Sequence, residues 1–128
     1  ESMGRRGREV ILGMTRDPQF GPMLRFGRGG ICVEVLKDVT FHLAPVTAVE
    51  AMQMLRATRS YARWTGVRGA SAVDLEAIAG GLQRISQLST DYPEIVELDL
   101  NPFIVGQVGG ESYVADARMA LGPEEVGE

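Results

Sequence analysis

Glu97-Leu98-Asp99-Leu100-Asn101-Pro102 is the stretch on which the reading of this chain turns. In an extended strand successive side chains point to opposite faces, so Leu98 and Leu100 fall on one face and Glu97, Asp99 and Asn101 on the other. The surrounding residues extend this into one predicted strand from Glu94 to Leu100 and a second from Phe103 to Val108, joined at Asn101-Pro102. A further strand, Ser112 to Ala117, follows the turn signal Gly109-Gly110.

Upstream of this hairpin the periodicity changes. Leu75, Ile78, Leu82 and Ile85 recur at helical spacing, with Ser71 or the run Ser71-Ala72-Val73-Asp74 as a cap and Asp91-Tyr92-Pro93 as the end. Gly80 and Gly81 lie inside this helix, each costing about 1 kcal/mol relative to alanine, so a break there is the main risk to it. Thr47-Ala48-Val49-Glu50 has the spacing of a capping box and starts an earlier helix from Ala48 to about Thr58, with Ala51, Met52 and Leu55 on its apolar face. Between the helices, Ser60 to Ser71 reads as a loop containing Gly66, Arg68 and Gly69.

The first third is strand-rich. Arg8 to Met14 and Met23 to Phe26 are predicted strands around the turn signals Asp17-Pro18 and Gly21-Pro22; Ile31 to Leu36 and Val39 to Leu43 follow after Gly29-Gly30 and Lys37-Asp38. Strands, then two helices, then strands predict an α+β fold: a largely antiparallel sheet with both helices on one face, as a single domain over 1–128.

Composition narrows the function. A hydrophobic content of 45% with 23% charged residues is that of an ordinary globular chain, and 128 residues leave room for one core. A net charge of -4 argues against a nucleic-acid partner, which calls for a basic surplus gathered on one face. The longest apolar runs fall far short of the ~20 residues that span a bilayer, and the start lacks the apolar stretch of a secretory signal. A single cysteine, Cys32, closes no intrachain disulfide, which fits a reducing cytoplasm. The opening Glu1-Ser2-Met3-Gly4 enters a strand within a few residues and reads as a cut edge, from a cloning boundary or proteolysis.

Among candidate chemical residues, Asp99 and Asn101 stand two apart on one strand face, roughly 6.5 Å, from where a carboxylate and an amide oxygen reach a single magnesium ion. Magnesium takes one or two carboxylates, with waters and phosphates completing the shell. In Tyr113-Val114-Ala115-Asp116-Ala117-Arg118, Asp116 and Arg118 share a face, and pairing around Gly109-Gly110 brings Asp116 beside Asn101. The same spacing also fits an exposed polar strand face, with Asn101-Pro102 as turn chemistry and Asp116 with Arg118 as a surface pair. His42 reads as a structural or surface residue, Cys32 as a small buried hydrophobe, and Arg68 as either a contact to phosphate or a neighbouring domain or a solvated loop residue.

Gly7 to Pro22 (Gly-Arg-Glu-Val-Ile-Leu-Gly-Met-Thr-Arg-Asp-Pro-Gln-Phe-Gly-Pro), Phe26 to Gly30, Val33 to Asp38, Gly66-Val67-Arg68-Gly69, Ser86-Gln87-Leu88 and Pro93 to Pro102 together resemble the ATP-grasp domain of the NDP-forming acyl-CoA synthetases, in particular the beta subunit of ADP-forming acetyl-CoA synthetase. That family is similar to succinyl-CoA synthetase. The resemblance covers nearly the whole chain and implies the carboxyl-terminal subdomain of an ATP-grasp fold, with ATP as substrate, ADP as product and Mg2+ as cofactor. It matches Asn101 and Asp116 to the residues that hold the nucleotide's magnesium and Asp99 to the acidic position of the acid-x-Asn pair. Glu1 and Ser2 fall at the end of the hinge strand that holds adenine. The amino-terminal ATP-grasp subdomain with its phosphate-binding lysine, the CoA-binding domains and the phosphate-carrying histidine lie outside the chain, so the parent is expected to be an acid-thiol ligase and the chain alone inactive. Arg28, where the family usually has leucine, and His42, where arginine is common, are departures. Two other readings remain: a regulatory synthetase-like region fused to a protein lysine acetyltransferase, and a non-catalytic interaction module. The latter turns on whether Asp99, Asn101 and Asp116 converge.

Overall fold

The computed structural model describes residues 8–28 (residue 28 by its backbone), 38–59, 61 and 73–122. The predicted strand Ile31 to Leu36 with Cys32, the loop residues Gly66, Arg68 and Gly69, and Glu1 and Ser2 lie outside the described residues.

The first hairpin pairs β1 (Arg8–Asp17) with β2 (Gly21–Arg28) in antiparallel register. Its turn is built by Asp17, whose Oδ1 accepts from the amides of Gln19 (2.7 Å) and Phe20 (2.9 Å), an aspartate mimicking a backbone turn. Both strands run further than their apolar cores suggest, because this tight turn carries pairing out to Asp17 and Gly21. β3 (Val39–Leu43) adds to the free side of β2.

Helix α1 (Ala48–Arg56) opens on the predicted capping box, with Thr47 Oγ1 accepting from the Glu50 amide (3.1 Å) and Glu50 Oε1 from the Thr47 amide (2.9 Å). Helix α2 (Leu75–Asp91) is capped by Asp74, the last residue of the predicted run, rather than by Ser71. Gly80 and Gly81 do not break it. Gly81 has a packing reason: a Cβ there would stand 2.9 Å from Leu12 Cδ1, so the missing side chain lets the helix approach β1.

β4 (Ile95–Val105) corrects the sequence reading, for Asn101-Pro102 does not join two strands but lies inside one. Between Val10 and Leu12, β1 advances two residues while β4 advances three, from Phe103 to Leu100. The extra residue is a bulge, and it resets the alternation so that Leu98 below it and Phe103 and Val105 above it are all buried. The predicted strand Ser112 to Ala117 is likewise two pieces, β5 (Tyr113–Val114) and β6 (Ala117–Leu121), both paired with β4. The break between them faces the bulge: the Asn101 amide donates to Asp116 O and the Ala115 amide to Pro102 O, both at 3.0 Å.

Among the described residues the sheet has six strands in the order β3-β2-β1-β4-β5, with β6 also on β4, and every pairing is antiparallel. One face is apolar: Val10, Leu12, Met14, Leu24 and Phe26 are fully buried beneath Leu55, Ile78 and Leu82 of the helices. Arg16 ties the layers at the end of α2, donating to the carbonyls of Ser89 (2.8 Å), Tyr92 (3.3 Å) and Ile95 (2.8 Å). This is the predicted α+β fold with a largely antiparallel sheet and two helices on one face, and it leaves the opposite face open. None of the described helices is long and apolar enough to cross a membrane.

Candidate metal and phosphate site

Register places a transverse row of residues across the open face. Phe41 of β3 stands opposite Arg25 of β2, Arg25 opposite Gly13 of β1, Gly13 opposite Asp99 of β4, and Asp99 opposite Arg118 of β6. Directly paired residues of antiparallel strands share a face, so one line crosses five strands. Its charges are complementary. Arg25 reaches over Gly13 to Asp99, with Nη2 2.7 Å from Oδ1. The same guanidinium donates through Nη1 to Thr15 Oγ1 at 2.6 Å and stands 3.9 Å from Glu97 Oε2.

At the other end of Asp99 the sheet opens into a cleft of about 180 Å³ lined by Asp99, Asn101, Asp116 and Arg118. Two backbone features bring these groups together. Asn101 keeps the outward face of Asp99 as the bulge begins, and the break between β5 and β6 holds Asp116 against it through the Asn101 amide. The three oxygen-bearing residues expected to share a site therefore line one cleft, as do Asp116 and Arg118, expected on one face. Among the described residues, Asn101 and Asp116 have side chains that no protein hydrogen bond or ion pair occupies, whereas Asp99 is already engaged by Arg25.

The donor set suits a hard cation. Two carboxylates and an amide oxygen supply hard ligands and leave the rest of an octahedral shell for water or phosphate, as magnesium prefers. Among the described residues no group of three or more His, Cys, Asp and Glu gathers as a closed metal cage.

Arg25 is the residue that sequence reasoning missed. Its sole signal lies in the pairing, in that it faces Asp99 across a glycine, and strand register has to be known before that is visible. His42 makes its contacts at Leu43 O (2.7 Å) and near Glu50 (3.9 Å), away from the cleft, as a structural or surface histidine would. Glu1 and Ser2, expected near adenine, lie outside the described residues.

Comparison with known proteins identifies the fold. A family profile described as an ATP-grasp domain matches residues 1–121. Acetate–CoA ligase (ADP-forming) I of Archaeoglobus fulgidus is 52% identical over 118 residues, covering 92% of this chain and 17% of that protein. The beta subunit of acetate–CoA ligase (ADP-forming) I of Pyrococcus furiosus is 46% identical over 115 residues, covering 90% of this chain and 49% of the subunit. Among solved structures, dinucleotide-forming acetyl-coenzyme A synthetase 1 of Ca. Korarchaeum cryptofilum superposes with a TM-score of 0.83 at 43% identity, covering 90% of this chain and 53% of that one. That structure holds coenzyme A and Mg-AMPPCP, with its phosphohistidine segment pointing towards the nucleotide site. The profile spans nearly all of the chain, and the antiparallel sheet backed by helices is the fold of those relatives; this chain belongs to the ATP-grasp domain family. It spans about half the length, or less, of these relatives.

Proposed function

We propose that this chain is the metal-holding wall of the nucleotide cleft in an ADP-forming acyl-CoA synthetase, as the carboxyl-terminal subdomain of its ATP-grasp unit. The observation that carries the reading is the convergence of Asp99, Asn101 and Asp116 on one cleft. An interaction module has no need of three hard oxygen donors at one point, and relatives at over 40% identity include ADP-forming acetate–CoA ligases and a 4-hydroxybutyrate–CoA ligase.

In this role Asn101 and Asp116 offer the ligand oxygens and Asp99 adds the second negative charge. Asn101 contributes an oxygen without setting a third carboxylate beside a polyphosphate. Arg118, on the same wall, presents a cation to phosphate oxygens. Bound Mg2+ supplies charge neutralisation to the phosphoryl group as it transfers. The accepting histidine, the phosphate-binding lysine and the CoA-binding domains belong to parts of the enzyme outside these residues, and Glu1 and Ser2 are assigned to the end of the adenine hinge. ATP and ADP are the ligands of this wall, and a cytoplasmic setting fits a site that draws on ATP.

Asp116→Asn in the full-length enzyme tests the reading. The change is nearly isosteric, removes one charge from an exposed position and leaves an oxygen. ATP-dependent histidine phosphorylation should fall by orders of magnitude, since an amide supports the metal poorly. The melting curve of the same protein should shift by less than about 1 kcal/mol of stability, as expected of an exposed polar change. Unchanged phosphorylation removes Asp116 from the site, and loss accompanied by unfolding leaves Asp116 a structural residue.

A further inference from the structure

The open face carries one ion pair that the metal reading does not use. Arg25 lies across the central strand because Gly13 has no side chain: a Cβ at Gly13 would stand 2.8 Å from Arg25 Cζ, from Arg25 Nη2 and from Asp99 Oδ1 alike. The glycine is thus the floor of the ion pair. Thr15 fixes the other arm of the guanidinium from the same strand, so the cation is held at both ends. Its side chain is 21% exposed and that of Asp99 30%, so the pair is half-buried on the rim of the cleft.

Resting on the proposed metal site, we propose that Arg25 is its positioning residue: seated over Gly13, it holds Asp99 Oδ1 and fixes which carboxylate oxygen Asp99 offers to the cleft. Asp99 then contributes at most one oxygen, with a set orientation, while Asn101 and Asp116, the direct ligands, have no side-chain partners among the described residues. Partners of this kind orient ligands without touching the ion, and their removal typically weakens metal binding about 10- to 100-fold. Gly13 belongs to the device, since an alanine there forces the guanidinium and Asp99 Oδ1 to shift without altering a charge.

The experiment is an electron paramagnetic resonance titration of the full-length enzyme with Mn2+ in the presence of a non-hydrolysable ATP analogue. It is run on wild type, Gly13→Ala, Arg25→Gln, Arg25→Lys and Asp116→Asn, with melting curves and with binding of the analogue measured without metal. Gly13→Ala and Arg25→Gln should each weaken Mn2+ roughly tenfold or more. Arg25→Lys, which keeps a cation, should lie between them and wild type, and metal-free binding of the analogue should stay within about twofold. Should Gly13→Ala fail to fold, the two Arg25 variants decide. Wild-type Mn2+ affinity in Asp116→Asn strikes at the metal site itself. Weakened Mn2+ in Asp116→Asn with unchanged affinity in Arg25→Gln overturns the brace alone. Equal losses in Arg25→Gln and Arg25→Lys overturn it too, as does a metal-free loss of the analogue, which would make Arg25 a phosphate ligand.

Discussion

At the scale of single residues, Arg16 and Arg25 sit on the same strand pair and do different work. Arg16 donates to the carbonyls of Ser89 and Tyr92 at the end of α2, where the dipole favours a cation, and to that of Ile95 at the start of β4. Replacing it with methionine keeps most of the apolar stem and removes these three charged hydrogen bonds, while the Tyr92 carbonyl keeps the Ile95 amide. Hydrogen bonds to a charged group contribute about 1.5–3 kcal/mol, so Arg16→Met should lower stability by about that much in denaturant titration, with metal binding unchanged. Arg25 faces the cleft, and its loss should register in metal affinity. Neither role is legible in the sequence, where both are arginines in β-rich segments and only pairing shows what each one meets.

The elements follow from local chemistry more directly. The capping box at Thr47 and Glu50 was legible because its two hydrogen bonds need nothing beyond four consecutive residues. Thr47→Ala should therefore cost about 1 kcal/mol in thermal or chemical unfolding. Gly80 and Gly81 are indistinguishable as sequence but not in the structure. A Cβ at Gly80 meets open space, so Gly80→Ala should stabilise by about 0.5–1 kcal/mol through helix propensity. Gly81→Ala gains the same propensity but must displace Leu12 from the centre of the core, so paired melting curves should separate the two variants by 1 kcal/mol or more. The strand around Asn101 was half legible. Alternation identified both faces below and above Asn101-Pro102, yet a bulge and a turn leave the same mark in sequence, a change of phase. Only the partner strand, running past without interruption, distinguishes them. The split of β5 from β6 was hidden for the same reason, since it mirrors the bulge opposite it.

At the scale of the whole molecule, the sheet is finished on one side only. Its helix face is a closed core, whereas the other presents a row of charges together with Phe41, 61% exposed, and Leu43, 38% exposed, on the outermost described strand beside β2. A face of this kind suits a cleft closed by a second layer, in line with a chain that spans half or less of its relatives. Since ligand sites of this type form between subdomains, the chain alone should bind Mg-ATP far more weakly than the full-length enzyme, and calorimetry giving it a micromolar constant would contradict that. The most direct test of the metal wall itself is anomalous X-ray scattering from Mn2+ in crystals of the full-length enzyme grown with a non-hydrolysable ATP analogue. The account predicts a manganese peak within coordination distance, about 2.0–2.3 Å, of oxygens on Asn101 and Asp116, with Arg25 still on Asp99. A manganese ion bound to the nucleotide but out of reach of both residues would contradict it.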